Sequence, residues 1–358
     1  MSGSNVNARV ADSNSIHKFP WKWYLSDLQK VEKNGKTVFS CFSCGGGSSM
    51  GYKLAGYDVI GNVEIDPRVM AVYQKNNHPR YPFLMDVREF LKLPREKIPD
   101  ELFSLDILDG SPPCSVFSTA GEREKGWNKE KVFREGQAKQ KLDDLFFYFI
   151  SIAQRLQPKV VIAENVSGLL KGNAKGYVNE IFKAFDDAGY KTQLFLLNAA
   201  FMGVPQKRER CFFISHRKDL EFPKLQLSFN EKPILFGEVR TEKGIFVDPK
   251  SVAGEMLAKR TRKDKDLADI SARVRKKNSG FLQKIDWDDC VAHTNVSGSE
   301  SYRGYDGMRQ SPGDKRNIQT FPQDYDFGNQ DANFITGMSV PPVMMAQIAS
   351  EVYNQWLK

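Results

Sequence analysis

The sequence predicts an α/β protein built on a Rossmann-like, mostly parallel sheet, joined to a second, smaller domain. Three observations predict it. Between Lys36 and about Ser215, short apolar runs alternate with amphipathic stretches, the pattern of successive βαβ units. A glycine run, Gly45-Gly46-Gly47, follows the first apolar stretch, and acidic residues end several of the later ones. From Arg217 to about Phe327 the periodicity stops, and Gly, Ser, Pro and charged residues take over.

Taken in order, Thr37–Phe42 reads as the first strand and Ser48–Leu54 as the start of the first helix. Tyr57–Val63 is a second strand, followed by a helix from Pro67 to about Asn76. Tyr81–Met85, Ser104–Leu108, Lys159–Ala163 and Gln193–Leu197 continue the strands, and Arg210–Ser215 closes the series. Helices intervene at about Leu142–Leu156 and Val178–Ala188. Within the irregular region, Lys259–Lys277 carries nine Lys or Arg against three Asp and reads as partly helical. Val340–Trp356 is an amphipathic helix. The expected divisions are an N-terminal extension (1–35), a first domain (36–216), a middle domain (217–327) and a terminal helix (328–358) that returns to the first domain.

Lys plus Arg outnumber Asp plus Glu by 52 to 44 in the 358 residues, a net charge of +8 that suits a polyanionic partner. No apolar run approaches the roughly 20 residues needed to cross a bilayer, and the longest, Leu145 to Ala153, reads as a buried helix. The first residues are polar and lack the apolar core of a signal peptide. Cys41, Cys44, Cys114, Cys211 and Cys290 are an odd, scattered set that fits no disulfide framework. A soluble cytoplasmic monomer without a membrane partner is expected.

Five stretches carry residue types suited to chemistry. The run from Phe42 through Gly46 and Gly47 to Gly51 lets the backbone turn sharply and approach a cofactor, although a tight strand-to-helix turn alone would use the same glycines. Glu64-Ile65-Asp66, about 20 residues beyond that turn, places an acid where it bonds ribose hydroxyls, and Asp86 ends the third strand within reach of an adenine amino group. Together they point to a nucleoside-bearing cofactor. Asp109-Gly-Ser-Pro-Pro113-Cys114 holds a thiol after two stiffening prolines, and the polar stretch Ser115–Gln140 reads as a loop that closes over a substrate. Glu164-Asn165-Val166 follows an apolar strand, and Gln206-Lys-Arg208-Glu-Arg210 brings two arginines that strand alternation aims to one side.

In this order, and with a late Gly337-Met-Ser339-Val-Pro-Pro342, these motifs resemble DNA cytosine-5 methyltransferases of the bacterial or phage restriction-modification type. The resemblance covers residues 36–215 and 318–350. It implies the S-adenosylmethionine-dependent methyltransferase fold, with Phe42, Gly46, Gly47, Glu64, Ile65, Asp86, Val87, Pro113 and Ser339 at the S-adenosyl-L-methionine site. It also implies Cys114 as nucleophile, Glu164, Arg208 and Arg210 around a cytosine flipped out of double-stranded DNA, and the middle domain as the target-recognition region. Three places depart from the family pattern. Ser40-Cys41-Phe42 stands where the first motif begins Asp-Leu-Phe, Met338 replaces an asparagine of the last motif, and Ser311–Arg316 matches the ninth poorly.

Other readings remain beside this one. Cys41-Phe-Ser-Cys44 is a CxxC pair, but zinc requires two further ligands and there are only four histidines and no second pair. Transfer RNA is the alternative substrate, although the short signature of that branch after the ENV helix is missing. An inactive DNA-binding relative would not need the chemical residues, all of which are present. No metal is expected.

Overall fold

The computed structural model describes residues 16–113, 144–170, 175–276, 280 and 283–358. The described chain forms two units. The larger draws on Val31–Leu197, Glu209–Ser228 and Met345–Lys358, the smaller on Met1–Lys30, Asn198–Arg208 and Phe229–Met344. Patterning alone expects one return, that of the terminal helix to the first domain, whereas these units interleave at Asn198–Arg208 as well.

The larger unit holds a seven-stranded sheet: β1 (Thr37–Cys41), β2 (Asp58–Glu64), β3 (Tyr81–Leu84), β4 (Ile107–Gly110), β5 (Val160–Val166), β6 (Tyr190–Asn198) and β7 (Glu209–Arg217). Their spatial order is β3-β2-β1-β4-β5-β7-β6. The β1–β2, β2–β3, β1–β4 and β4–β5 pairs are parallel, and β5–β7 is antiparallel. Val160 to Ala163 are fully buried, as expected of a central strand covered on both faces.

Helices α1 (Gly47–Leu54), α2 (Pro67–Asn77), α3 (Val87–Lys92), α4 (Leu145–Leu156) and α5 (Lys175–Asp187) join the strands. Asp66 caps α2 through the Arg68 N–H, with Pro67 preset for the first turn. Asp86 caps α3 in the same way. That helix gives no periodic signal in the sequence because it has six residues and buries only Val87 and Phe90. On α4, Leu145, Phe146, Phe149, Ile152, Ala153 and Leu156 are buried at helical spacing. Phe146 meets Phe213 of β7 edge-on at 5.3 Å, a favoured aromatic geometry. The segment from Met345 also belongs here: Tyr57 Oη donates to the Ala349 carbonyl (2.9 Å) and Trp356 Nε1 to that of Pro223 (2.8 Å).

In the smaller unit the middle segment is more regular than its composition suggests. It contains Phe236–Val239, Val252–Leu257, Leu267–Arg275, Pro312–Ile318 and Ala332–Met338 as helices. Gln206–Lys207 pairs with Ala292–His293, and Lys284–Asp286 with Ser301–Arg303. The longest of these helices has nine residues, too short to show a sustained period. Trp23 is buried and donates to the Thr320 carbonyl at 2.9 Å, which anchors the stretch preceding β1. Among the described residues no helix is long and apolar enough to cross a membrane.

Gly46 precedes α1 with φ +77°, and a Cβ there would lie 2.3 Å from Asn77 Nδ2 and 3.0 Å from the Tyr73 ring. Both the backbone angle and the space favour glycine. Gly46→Ala is expected to destabilise by about 2–4 kcal/mol, read as a lower urea midpoint at unchanged slope. An unchanged midpoint would show that the turn tolerates a side chain.

Candidate active site

The carboxyl ends of the parallel strands converge on one edge of the larger sheet, where open α/β folds bind ligands. After β1 the backbone is left-handed at Phe42 (φ +53°), Cys44 (φ +45°) and Gly46, so the chain reverses within a few residues. Glu64, at the end of β2, ties that turn in place. Its Oε2 accepts from the Cys44 N–H (2.9 Å), and its Oε1 accepts from the N–H groups of Ile65 (2.9 Å) and Asp66 (3.0 Å). Burial pushes the Glu64 carboxyl up, and the three backbone hydrogen bonds offset only part of that push. Ile65 is 40% exposed, an apolar face left open beside a buried acid, whereas Val87 is buried.

Asp86 accepts at Oδ1 from the Arg88 N–H (2.8 Å) and Nε (2.9 Å), while Arg88 Nη2 reaches Oδ2. Burial opposes its ionisation, but the Arg88 hydrogen bonds and charge win and hold the carboxyl below its ordinary value. A carboxylate offers about four acceptor sites. Among the described residues Glu64 and Asp86 each engage three, so one site on each is open to a ligand.

Asp109, at the end of β4, has no role assigned by the sequence beyond its place in the motif. It is buried, and its Oδ2 accepts from Ser40 Oγ and Ser48 Oγ, both at 2.8 Å, while Oδ1 accepts from Tyr52 Oη at 3.2 Å. An acid inside the apolar run Ile107-Leu108-Asp109 was the available signal, since a buried charge requires partners. Burial pushes its carboxyl up to about 6 against the pull of the three hydroxyls, with the Glu164 charge adding to the push.

Beyond Asp109 the chain runs through Gly110 to Pro113. The Pro112 carbonyl accepts from Asn165 Nδ2 of β5 at 3.2 Å, which fixes the stretch leading to Cys114. Cys114 and Ser115–Gln140 lie outside the described residues. Next to Asn165, Glu164 is buried and its Oε1 meets Arg210 Nε at 2.9 Å. Cys211 follows Arg210 in the sequence. Burial, with the Glu164 charge, pushes its thiol up to about 12, and Cys41 is pushed up by burial as well. Neither is a nucleophile near neutral pH.

The two arginines do not share an unbroken strand pairing. Arg208 belongs to the smaller unit and Arg210 to the larger. Arg208 is buried and donates to the carbonyls of Asn295 (3.0 Å), Gly337 (3.2 Å) and Ser339 (3.1 Å). Strand alternation fails because the chain changes partners here. Gln206–Lys207 pairs with Ala292–His293, and the β5 pairing begins again at Arg210. Ser339 Oγ donates to the Ile335 carbonyl (2.8 Å), so within the smaller unit its hydroxyl closes a helix end.

The raised Asp109 carboxyl has a sign-definite effect on stability. Between its ordinary value and about 6, the folded chain keeps a proton that the unfolded chain releases. The stabilisation is complete below the unfolded value and is lost as pH rises through about 6. The neighbours facing it are Ser40 and Cys41 on β1, Ser48 and Tyr52 on α1, Tyr73 on α2 and Glu164 on β5. The stability of Asp109→Asn relative to wild type should therefore rise between pH 4 and pH 8, by up to about 3 kcal/mol. Urea melts at the two pH values measure it, and a constant difference would mean that no shifted proton resides on Asp109.

Comparison with known proteins follows the same lines. The family model for C-5 cytosine-specific DNA methylase matches residues 36–354. The type II methyltransferase M.NgoPII of Neisseria gonorrhoeae is 36% identical over 200 residues, 53% of this chain and 52% of that protein. M.FnuDI of Fusobacterium nucleatum is 36% identical over 191 residues, 52% of this chain and 50% of that one. The match thus spans about half the length of these curated relatives. A prophage-encoded E. coli protein of known structure has the same fold (TM-score 0.65, 22% identity, 90% of this chain and all of that one). DNMT2 of Spodoptera frugiperda aligns with TM-score 0.61 at 17% identity over 89% of this chain and all of that one. With the motifs in order and the family model matched across nearly its whole length, the chain belongs to the C-5 cytosine-specific DNA methylase family.

Proposed function

We propose that the protein transfers a methyl group from S-adenosylmethionine to C5 of cytosine in double-stranded DNA. The observation that carries this reading is the end of β5. There Glu164 is held by Arg210 at 2.9 Å, while the adjacent Asn165 grips Pro112, two residues before Cys114. Glu164 and the side chain that holds Pro112 are thus neighbours on one strand, which supports the reading.

The residues suit the cofactor. The remaining acceptor site of Glu64 fits a ribose hydroxyl, that of Asp86 an adenine amino group, and exposed Ile65 an adenine face. Phe42, Gly46, Gly47, Val87 and Pro113 are the further positions that the resemblance assigns to that site. Ser339 uses its hydroxyl on the Ile335 carbonyl within the smaller unit. When bound, S-adenosylmethionine supplies an electrophilic methyl on a sulfonium sulfur.

The protein's part begins with a flipped cytosine, because C6 is inaccessible in a paired base. The Cys114 thiolate forms a bond to C6, and the electrons of the C5–C6 double bond move into the ring. Glu164 shares a proton with N3 and offsets the charge that builds there. Arg210 fixes the Glu164 carboxyl and adds positive charge beside the ring, while Arg208 acts within the smaller unit. With C5 methylated, loss of the C5 proton and breakage of the C6–sulfur bond regenerate the double bond and the free thiolate.

The covalent step gives the test. DNA containing 5-fluorocytosine has no C5 proton to lose and is expected to trap the enzyme as a denaturation-resistant adduct in the presence of cofactor. Cys114→Ser should form no adduct while still binding DNA. Adduct formation on 5-fluorocytosine transfer RNA, with none on DNA, would transfer the activity to the RNA branch.

Residues 217–327 suit target recognition, and the basic stretch within them divides in two. Arg273 pairs with Asp264 (2.6 Å), Arg275 with Glu255 (3.2 Å) and Arg262 with Asp289 (2.7 Å), and Arg260 binds the carbonyls of Gly304 and Tyr305. These arginines are engaged by partners within the smaller unit. Lys259, Lys263, Lys265 and Lys276 are exposed and suited to DNA phosphates, and two of them, Lys263 and Lys265, lie two residues apart. Replacing both with Gln should weaken binding to cognate and scrambled duplexes alike. The slope of log affinity against log salt should also fall by about 0.9 for each phosphate that is no longer neutralised. An unchanged slope would leave these lysines facing solvent.

A further inference from the structure

Ser40 stands where the resembling family begins its first motif with aspartate, and no acidic residue follows on β1. The structure shows what occupies the space instead. In the parallel β1–β4 pair Ser40 is the register partner of Asp109, and the two side chains are hydrogen-bonded at 2.8 Å. Such partners lie about 4.8 Å apart on the same face, so a carboxylate rooted at either position reaches nearly the same point. Ser48, in the first turn of α1, and Tyr52, one turn further, donate to the same group. The carboxylate therefore ties together the end of β1, the helix that follows the glycine turn and the end of β4.

We infer that Asp109 is a positioning residue, the carboxylate transposed from β1 to β4, and that it holds the glycine turn in its cofactor-binding shape. The cofactor part of this inference rests on the function proposed above; the transposition does not. Two hydroxyls converge on one oxygen of Asp109 and a third reaches the other. A serine at 109 offers only two acceptor lone pairs on a shorter side chain, and would leave buried hydroxyls without partners. Two carboxylates at 40 and 109 would repel each other in a site closed to water. The knot accepts one carboxylate, on either strand.

A four-way cycle of wild type, Ser40→Asp, Asp109→Ser and the double swap tests this. Thermal melts without cofactor are read first. Each single variant should melt lower than wild type, and the swap should recover most of the loss. If the single variants do not fold, recovery of soluble protein by the swap is the expected result. A swap no better than the worse single variant would overturn the transposition. Calorimetric titration with S-adenosylmethionine and steady-state kinetics are read second, together with the conservative Asp109→Asn. That variant should raise the KM for S-adenosylmethionine about tenfold while kcat at saturation stays within threefold, and the swap should return KM to within threefold of wild type. Equal affinity in wild type and Asp109→Asn would overturn the positioning role. Failure of the wild type to bind the cofactor would instead defeat the proposed function, while the melting cycle still decides the transposition.

Discussion

Glu64, Asp86, Asp109 and Glu164 stand within two residues of the carboxyl ends of β2, β3, β4 and β5, so the parallel sheet delivers four carboxylates to a single edge. Burying such groups without partners would cost several kcal/mol each. Each is satisfied by different chemistry. Glu64 takes backbone N–H groups, Asp86 its own helix cap and Arg88, Asp109 three hydroxyls, and Glu164 a guanidinium. The tight turn after β1, the cap on α3, the inward serines and the arginine on β7 all follow from that requirement.

Similar logic separates the sulfur atoms. A thiol inside a strand is surrounded by apolar neighbours and held in its neutral form, as at Cys41 and Cys211. Cys114 instead follows the Pro112-Pro113 pair in the sequence. The guanidinium groups divide likewise. Arg208 and Arg303 are buried and occupied with their own unit, Arg303 reaching Asp306 at 2.9 Å, whereas Arg210 keeps its charge beside Glu164.

Most of the sheet was legible because its strands carry long apolar runs and its helices bury regular stripes; Val160–Ala163 and Leu145–Leu156 are the clearest cases. Glu64, Asp86 and Glu164 were legible because acids at strand ends are conspicuous. Three things were not. The Asp86–Arg88 cap left only a short helix, although an Asp followed three residues later by Glu89 is a recognised start signal. Asp109 owes its importance to Ser40, 69 residues earlier, and no local pattern reveals a partner at that distance. The separation of Arg208 from Arg210 depends on a change of strand partner, which a period-two reading cannot anticipate.

The interleaving of the two units bears on how the chain is made. Tyr57 hydrogen-bonds the carbonyl of Ala349, 292 residues later. His216 and Phe222 pack against the Trp356 ring at 5.1 and 5.7 Å. On the ribosome, where domains mature from the N-terminal side, the sheet strands emerge long before their last cover. Until the segment from Met345 follows, Tyr57, His216 and Phe222 lack these partners. A translation product that stops before Met345 would never supply them, and its fate would be degradation or aggregation.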